Sequence, residues 1–265
     1  MLREDSWVIS FRNHGREGLI TQGPLHSAGD KPAARARRGR FAEASGYARI
    51  RLMIAIVDYG MGNLRSVQKA FEKLGHEALV TKVPGAILAA GGVVLPGVGA
   101  FRQAMYSLSS LNLDRVVREY LRLEKPFLGI CLGLQLLFDE SEEFGRTKGL
   151  GIIPGKVVKF AGPAFAGEGG SLKVPHMGWN RLHKLTETPL LEGVPEGAMM
   201  YFVHSYYGVP EDPSWIVTTT DHGIEFCSSV GRGKLFAMQC HPEKSGAVGL
   251  KILENFARTV PSEYG

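Results

Sequence analysis

Three residues stand at spacings that suit nucleophilic catalysis. Cys131 lies in PFLGICLGLQLLF (residues 126–138), between Gly129 and Gly133, with an apolar run on either side. His241 and Glu243 lie two apart in QCHPEKS. Gly-x-Cys-x-Gly at a strand-to-helix junction has the form of a nucleophile elbow. The turn is tight, so small residues are needed where the strand and helix backbones approach each other. It would raise the thiol at the carboxyl end of the strand, where open α/β sheets bind ligands. It would also leave the sulfur at a helix N-terminus, whose positive end favours the thiolate. The Leu132 N–H would then face an oxyanion formed at the attacked carbonyl. A free cysteine is more often a small buried hydrophobe. Two glycines in this context favour the elbow.

A nucleophilic cysteine needs a base, and the base needs an orienting group. Residues i and i+2 of an extended segment point the same way. Glu243 can therefore bond one nitrogen of His241 while the other faces Cys131. Pro242 between them favours an extended residue before it. Taken alone, His-Pro-Glu is a common surface turn, and Cys131 is what changes its reading. Cys240 should point the other way, and it is expected in the core with Cys227. LPGVGAF places Gly97 and Gly99 around Val98 at another strand end. Such a loop can present the Val98 N–H as a second oxyanion donor. YGMGNLRS has Gly60 and Gly62, but Arg65 stands where a dinucleotide fingerprint needs its third glycine.

The elements that must position these residues follow from hydrophobic period. MIAIVD, EALVT, GVVLP and PFLGI read as strands. GNLRSVQKAFEKLG places Leu64, Val67, Ala70, Phe71 and Leu74 on one helical face, with Asn63 as N-cap. Residues 100–124 and LGLQLLFDE read as helices. This alternation predicts an α/β domain with a mostly parallel central sheet flanked by helices. After residue 150 the strands GKVVKF, RLHKL, AMMYFVHSYY, WIVTTT, IEFCSSV and KLFAMQC follow with few helices between them. They predict an added antiparallel portion, closed by a final helix AVGLKILENFA. PHMGWN reads as loop.

Composition excludes several classes. The chain has 265 residues, 44% hydrophobic and 22% charged, as in an ordinary globular protein. No apolar run approaches the 18 or so residues of a membrane span. Three widely spaced cysteines argue against a disulfide framework and a zinc site, and for a reducing, cytoplasmic setting. No metal or cofactor is implied. Ten of the 31 Lys and Arg, but only five of the 26 Asp and Glu, fall in residues 1–52. The whole +5 charge resides there, and residues 53–265 are neutral, so the basic pI is no sign of nucleic-acid binding. Residues 1–52 lack apolar periodicity. They are expected to be a disordered extension, or upstream sequence from a mis-assigned start with Met53 as the natural first residue. Residues 53–265 are expected to form one domain.

The blocks DYGMGNLRSV, LPGVGAF, GICLGLQLLF, PHMGWN, YFVHSYY and QCHPEKS resemble, in order, those of the class I (triad) glutamine amidotransferases. The cysteine and His-x-Glu motifs specify only the class. DYGMGNLRS, PHMGWN and YFVHSYY narrow the resemblance to the glutaminase subunits of imidazole glycerol phosphate synthase. The resemblance implies a flavodoxin-like fold and hydrolysis of L-glutamine by Cys131, His241 and Glu243. It implies an oxyanion hole of Val98 and Leu132 N–H groups. Gly97, Gln135, Glu143, His204, Ser205 and Tyr206 become candidates for binding the amino-acid end of glutamine. It implies a heterodimer with a (β/α)₈ cyclase subunit of L-histidine biosynthesis. That subunit uses the ammonia on a phosphoribulosyl-formimino nucleotide, giving imidazole glycerol phosphate and an aminoimidazole carboxamide ribotide. Asn63, Arg65, Met177, Trp179 and Asn180 are candidates for the docking face, on loops at the carboxyl end of the sheet. The residues alone leave open another amidotransferase, a cysteine peptidase or a non-catalytic relative on a similar fold.

Overall fold

A computed structural model describes residues 8–13, 16–21, 53–165 and 172–261. The chain divides into two units, residues 1–50 and 51–265. In the first, β1 (Val8–Asn13) and β2 (Arg16–Thr21) pair as an antiparallel hairpin. The rest of the expected extension lies outside the described residues.

The second unit is built on an eight-stranded sheet. Its parallel half is ordered β4 (Ala78–Thr81), β3 (Ile54–Val57), β5 (Gly92–Gly97), β6 (Phe127–Cys131) and β16 (Leu235–Met238). Numbered along the chain this is the flavodoxin-like order 2-1-3-4-5. Beyond β16 the sheet continues antiparallel through β15 (Glu225–Arg232), β14 (Ile216–Asp221) and β11 (His183–Lys184). Alternating residues feed two cores. Ala55, Val57, Val93, Leu95 and Phe127 face α2 (Pro84–Ala89), α3 (Phe101–Ser110) and α4 (Leu113–Arg122). Ile54, Ile56, Val94, Leu128 and Ile130 face α1 (Leu64–Lys73) and α6 (Gly246–Arg258). A sheet covered on both faces explains why these strands read as continuous apolar runs.

Two smaller sheets complete the fold. One is ordered β13 (Tyr206–Pro210), β9 (Ile153–Lys159), β7 (Phe138–Ser141) and β8 (Thr147–Lys148). The other pairs β10 (His176–Arg181) with β12 (Met199–His204).

Several expectations need correction. The helix expected over LGLQLLFDE is a single turn, α5 (Leu132–Gln135), followed by β7. The Leu136 and Leu137 carbonyls accept from Leu150, Ile152 and Ile153 N–H groups, so pairing with a distant segment replaces the next helical turn. The helix expected over 100–124 is two helices. Asn112 breaks it in the left-handed region, at φ 55°, a conformation that asparagine tolerates. PHMGWN is a strand rather than a loop, because its backbone pairs with β12 from His176 to Arg181.

Candidate active site

The site forms where β5, β6 and β16 end side by side. Gly97 pairs with Cys131, and Ile130 with Met238. Val98, Cys131 and the segment after β16 therefore share one edge of the sheet. Cys131 has φ 55° and ψ −111°, a backbone shape that non-glycine residues rarely hold. The turn is held by close packing. A Cβ on Gly129 would lie 2.9 Å from the Ala237 Cβ, and one on Gly133 would overlap the Leu95 carbonyl. Tyr59 donates from its hydroxyl to the Pro96 carbonyl at 3.0 Å and so supports the loop carrying Val98. The elbow stands as expected, although its helix is one turn long and brings only the dipole of that turn.

His241 follows β16 in extended conformation, at φ −106° and ψ 93°. Its Nδ1 lies 2.8 Å from Glu243 Oε1. Glu243 reaches it from a 3₁₀ turn, Pro242–Lys244, rather than from an extended strand. The two side chains meet as expected, but by another backbone route. The turn is clamped. Ser245 Oγ donates to the His241 carbonyl at 2.6 Å and accepts the Tyr201 N–H at 3.0 Å. Gly249 lets α6 approach the Pro242 carbonyl where a Cβ would overlap it. The sequence reading missed both supports. The Ser-Gly that opens α6 is a signal that could have pointed to Ser245.

His241 and the Glu243 side chain are buried, at 2% and 1% exposure. His241 Nε2 and Glu243 Oε2 have no hydrogen-bond partner. Burial works to lower the His241 pKa. The Cys131 sulfur and the Glu243 carboxylate outweigh it and lift the imidazole to about 9. Burial pushes the Cys227 thiol up to about 12. Burial drives Cys240 further in the same direction. Both are core residues, as expected.

A cleft of about 460 Å³ opens over Cys131. Val98, Leu132, Gln135, Glu143, His204, Ser205, Tyr206 and His241 all line it. Gly97 lies just beneath, against the Tyr59 hydroxyl. Glu143 Oε2 accepts the Phe101 N–H at 2.6 Å. Gln135 Nε2 donates to the Tyr206 carbonyl at 2.9 Å and to Gln239 Oε1 at 3.0 Å. Both amide protons are thus committed, and Oε1 is what Gln135 can offer a ligand. Both ring nitrogens of His204 are engaged as well. Nδ1–H donates to the Tyr206 carbonyl at 2.9 Å, so Nε2 accepts from His176 Nδ1 at 3.0 Å. Burial lowers the His204 pKa to about 3 and that of His176 to about 4, so both are neutral at pH 7. Lys159 and Phe144 line the cleft too, and the sequence reading missed both.

The docking candidates lie outside the cleft lining. Asn63 caps α1 by accepting the Ser66 N–H, and Arg65 bonds Gln68. Met177 and Trp179 project from one face of β10 at 65% and 53% exposure. Asn180 bonds His176 and the Asp221 carbonyl.

Residues 55–260 match the family described as Glutamine amidotransferase class-I. The chain belongs to this family. It is 54% identical over 204 residues to the "Imidazole glycerol phosphate synthase subunit HisH" of Syntrophotalea carbinolica, covering 77% of this chain and 98% of the relative. The HisH subunit of Geobacter sulfurreducens is 53% identical, with 77% and 97% covered. These relatives place the amidotransferase among the HisH subunits, as a glutaminase and as one subunit of a larger enzyme. Solved structures agree on the fold. A "glutamine amidotransferase" crystal structure superposes with TM-score 0.59 at 17% identity, covering 77% of this chain and 97% of the other. PurLQS from Thermotoga maritima gives 0.57 at 18%, covering 78% and 97%. Among the described residues no helix is long and apolar enough to cross a membrane, and no acidic, histidine and cysteine cluster could hold a metal ion.

Proposed function

We propose that this glutaminase works through Cys131, His241 and Glu243. The observation that carries the proposal is a strained elbow thiol facing the same cleft as an imidazole whose far nitrogen is fixed by Glu243 at 2.8 Å. The Cys131 sulfur attacks the side-chain amide carbon of glutamine, and His241 holds the thiol proton. Charge gathers on the carbonyl oxygen. Val98 and Leu132, which follow the paired Gly97 and Cys131, supply the N–H donors for it. His241 then returns the proton to the nitrogen, the C–N bond breaks, and ammonia leaves a glutamyl thioester. Water attacks the thioester as His241 takes its proton, and glutamate and the free thiol result. Glu143 and Lys159 offer the opposite charges that a zwitterionic amino acid needs, and Gln135 Oε1 can accept from its ammonium group.

The partner in this reading is the cyclase subunit of imidazole glycerol phosphate synthase in histidine biosynthesis. It binds as a heterodimer in the cytoplasm and receives the ammonia. The HisH name of the relatives supports a partner subunit. Residues 1–52 are an extension outside the catalytic domain, since the family match begins at residue 55. The test is ammonia release, with and without the cyclase. Cys131→Ala should abolish it, while Cys227→Ala and Cys240→Ala keep most of it. Comparable loss in a folded Cys240→Ala protein would sink the assignment. Full activity of the lone subunit, unchanged by the cyclase, would sink the coupling.

A further inference from the structure

Gln239 is not a triad residue, yet its side chain touches the nucleophile. It is fully buried, and its Nε2 lies 3.6 Å from Cys131 Sγ. Neighbours fix which end of the amide faces the sulfur. The Tyr206 carbonyl can only accept, so the Gln135 atom 2.9 Å from it is the nitrogen. That nitrogen also faces Gln239 at 3.0 Å, so the Gln239 atom there is the oxygen. The Gln239 nitrogen is left for the sulfur. Its backbone N–H donates to the Ser228 carbonyl at 2.8 Å, which anchors the residue at the end of β16.

We infer that Gln239 is a catalytic hydrogen-bond donor that stabilises the Cys131 thiolate, with Gln135 and the Tyr206 carbonyl holding its amide in register. This rests on Cys131 being the nucleophile. A thiolate accepts a hydrogen bond far more strongly than a thiol, and a buried site strengthens the bond further. The donor serves twice. It steadies the sulfur before attack, and again when the thiolate leaves the thioester. His241 cannot do this alone, because it passes its proton on during each half-reaction. A neutral amide keeps its proton throughout.

The test compares wild type with Gln239→Met, which keeps length but removes the donor, and Gln239→Glu. The glutamate still accepts from Gln135 but sets an oxygen against the sulfur. The readouts are the rate of Cys131 alkylation by iodoacetamide at pH 7.5, kcat and KM for glutamine, and thermal unfolding as the folding control. Hydrogen bonds to charged groups lead us to expect alkylation and kcat to fall on the order of tenfold or more in Gln239→Met. KM should change less than kcat, since Gln239 itself makes no glutamine contact and the Tyr206 carbonyl still anchors Gln135. Gln239→Glu should lose more, and it decides the matter if Gln239→Met does not fold. A folded variant alkylated and turning over at wild-type rates would overturn the role. In wild type, alkylation must fall on Cys131 and stop ammonia release. Failure there would instead overturn the nucleophile assignment.

Discussion

Replacing Gly133 with alanine probes the elbow directly. A methyl there would sit far inside 3.0 Å of the Leu95 carbonyl oxygen, and under 3.0 Å something must shift. The neighbour is backbone of β5, paired to β6 on the far side at Gly129, so it cannot swing away as a side chain does. Ordinary contact begins at 3.4 Å, so the strand and the turn must part by more than about 1 Å. Overpacking of this kind costs about 3 kcal/mol or more. For a unit of this size that lowers the melting temperature by about 6–12 °C. Because Leu132 and Cys131 ride on the same turn, they move with it. A displacement near 1 Å costs roughly 100-fold in rate. Two controls grade the effect. Gly129→Ala meets the Ala237 methyl at 2.9 Å and the Gly133 carbonyl oxygen at 3.0 Å, a smaller overlap than at Gly133, so its losses should be milder. Gly60→Ala has nothing within 4 Å and carries only the strain of φ +83°, so activity should survive. The assays are circular-dichroism melts and ammonia release. Gly133→Ala melting with wild type and fully active would refute the packing argument.

Stability should fall on both sides of neutral pH, for opposite reasons. His204 and His176 have folded pKa values of about 3 and about 4, below the ordinary 6.5. Their stability is complete above 6.5 and falls as the pH drops from there towards 3, because the unfolded chain binds the protons first. His241 is raised to about 9, so its contribution is complete below 6.5 and is lost as the pH rises through 9. At about 1.4 kcal/mol per pKa unit, each histidine is worth up to a few kcal/mol. Urea melts from pH 4.5 to 9.5 should show both limbs, and a flat acid limb would count against two buried neutral imidazoles. Removing residues 1–52 should leave melting temperature and glutaminase activity nearly unchanged. A large fall in either, measured on the Met53-start protein, would show that the extension supports the domain.

The parallel half of the sheet was legible because each strand obeys one local rule. Ile54 to Val57 and Phe127 to Ile130 are apolar on both faces, which only a doubly covered strand tolerates. The helix α1 was legible from its stripe and from Asn63, whose side chain does accept at the N-terminus. What failed depended on distant partners. Leu136 to Glu140 continue a helical pattern until β9 and the 149–153 segment claim their backbone. Met177 and Trp179 look like loop residues until β12 pairs with them. In the site, Cys131 announced itself through its glycines. Gln239 did not, because a glutamine beside an apolar strand has no local signature, and only the fold brings it to the sulfur.

The order of the strands brings the proposed catalytic groups to one place. β5, β6 and β16 are adjacent and parallel, so they end at one edge of the sheet. β5 ends in the loop that carries Val98 to the cleft. β6 ends in Cys131 at the elbow. One step past its last pair with β6, β16 places Gln239 beside the sulfur, and two steps later it places His241. The groups proposed for catalysis are therefore shared among three strand ends, and no single loop must hold all of them. The remaining difficulty is keeping His241 where its strand no longer pairs with β6. The Ser245 clamp and the close approach of α6 at Gly249 meet it. Loosening α6, as Gly249→Ala would, should therefore displace His241 and lower ammonia release while iodoacetamide still alkylates Cys131.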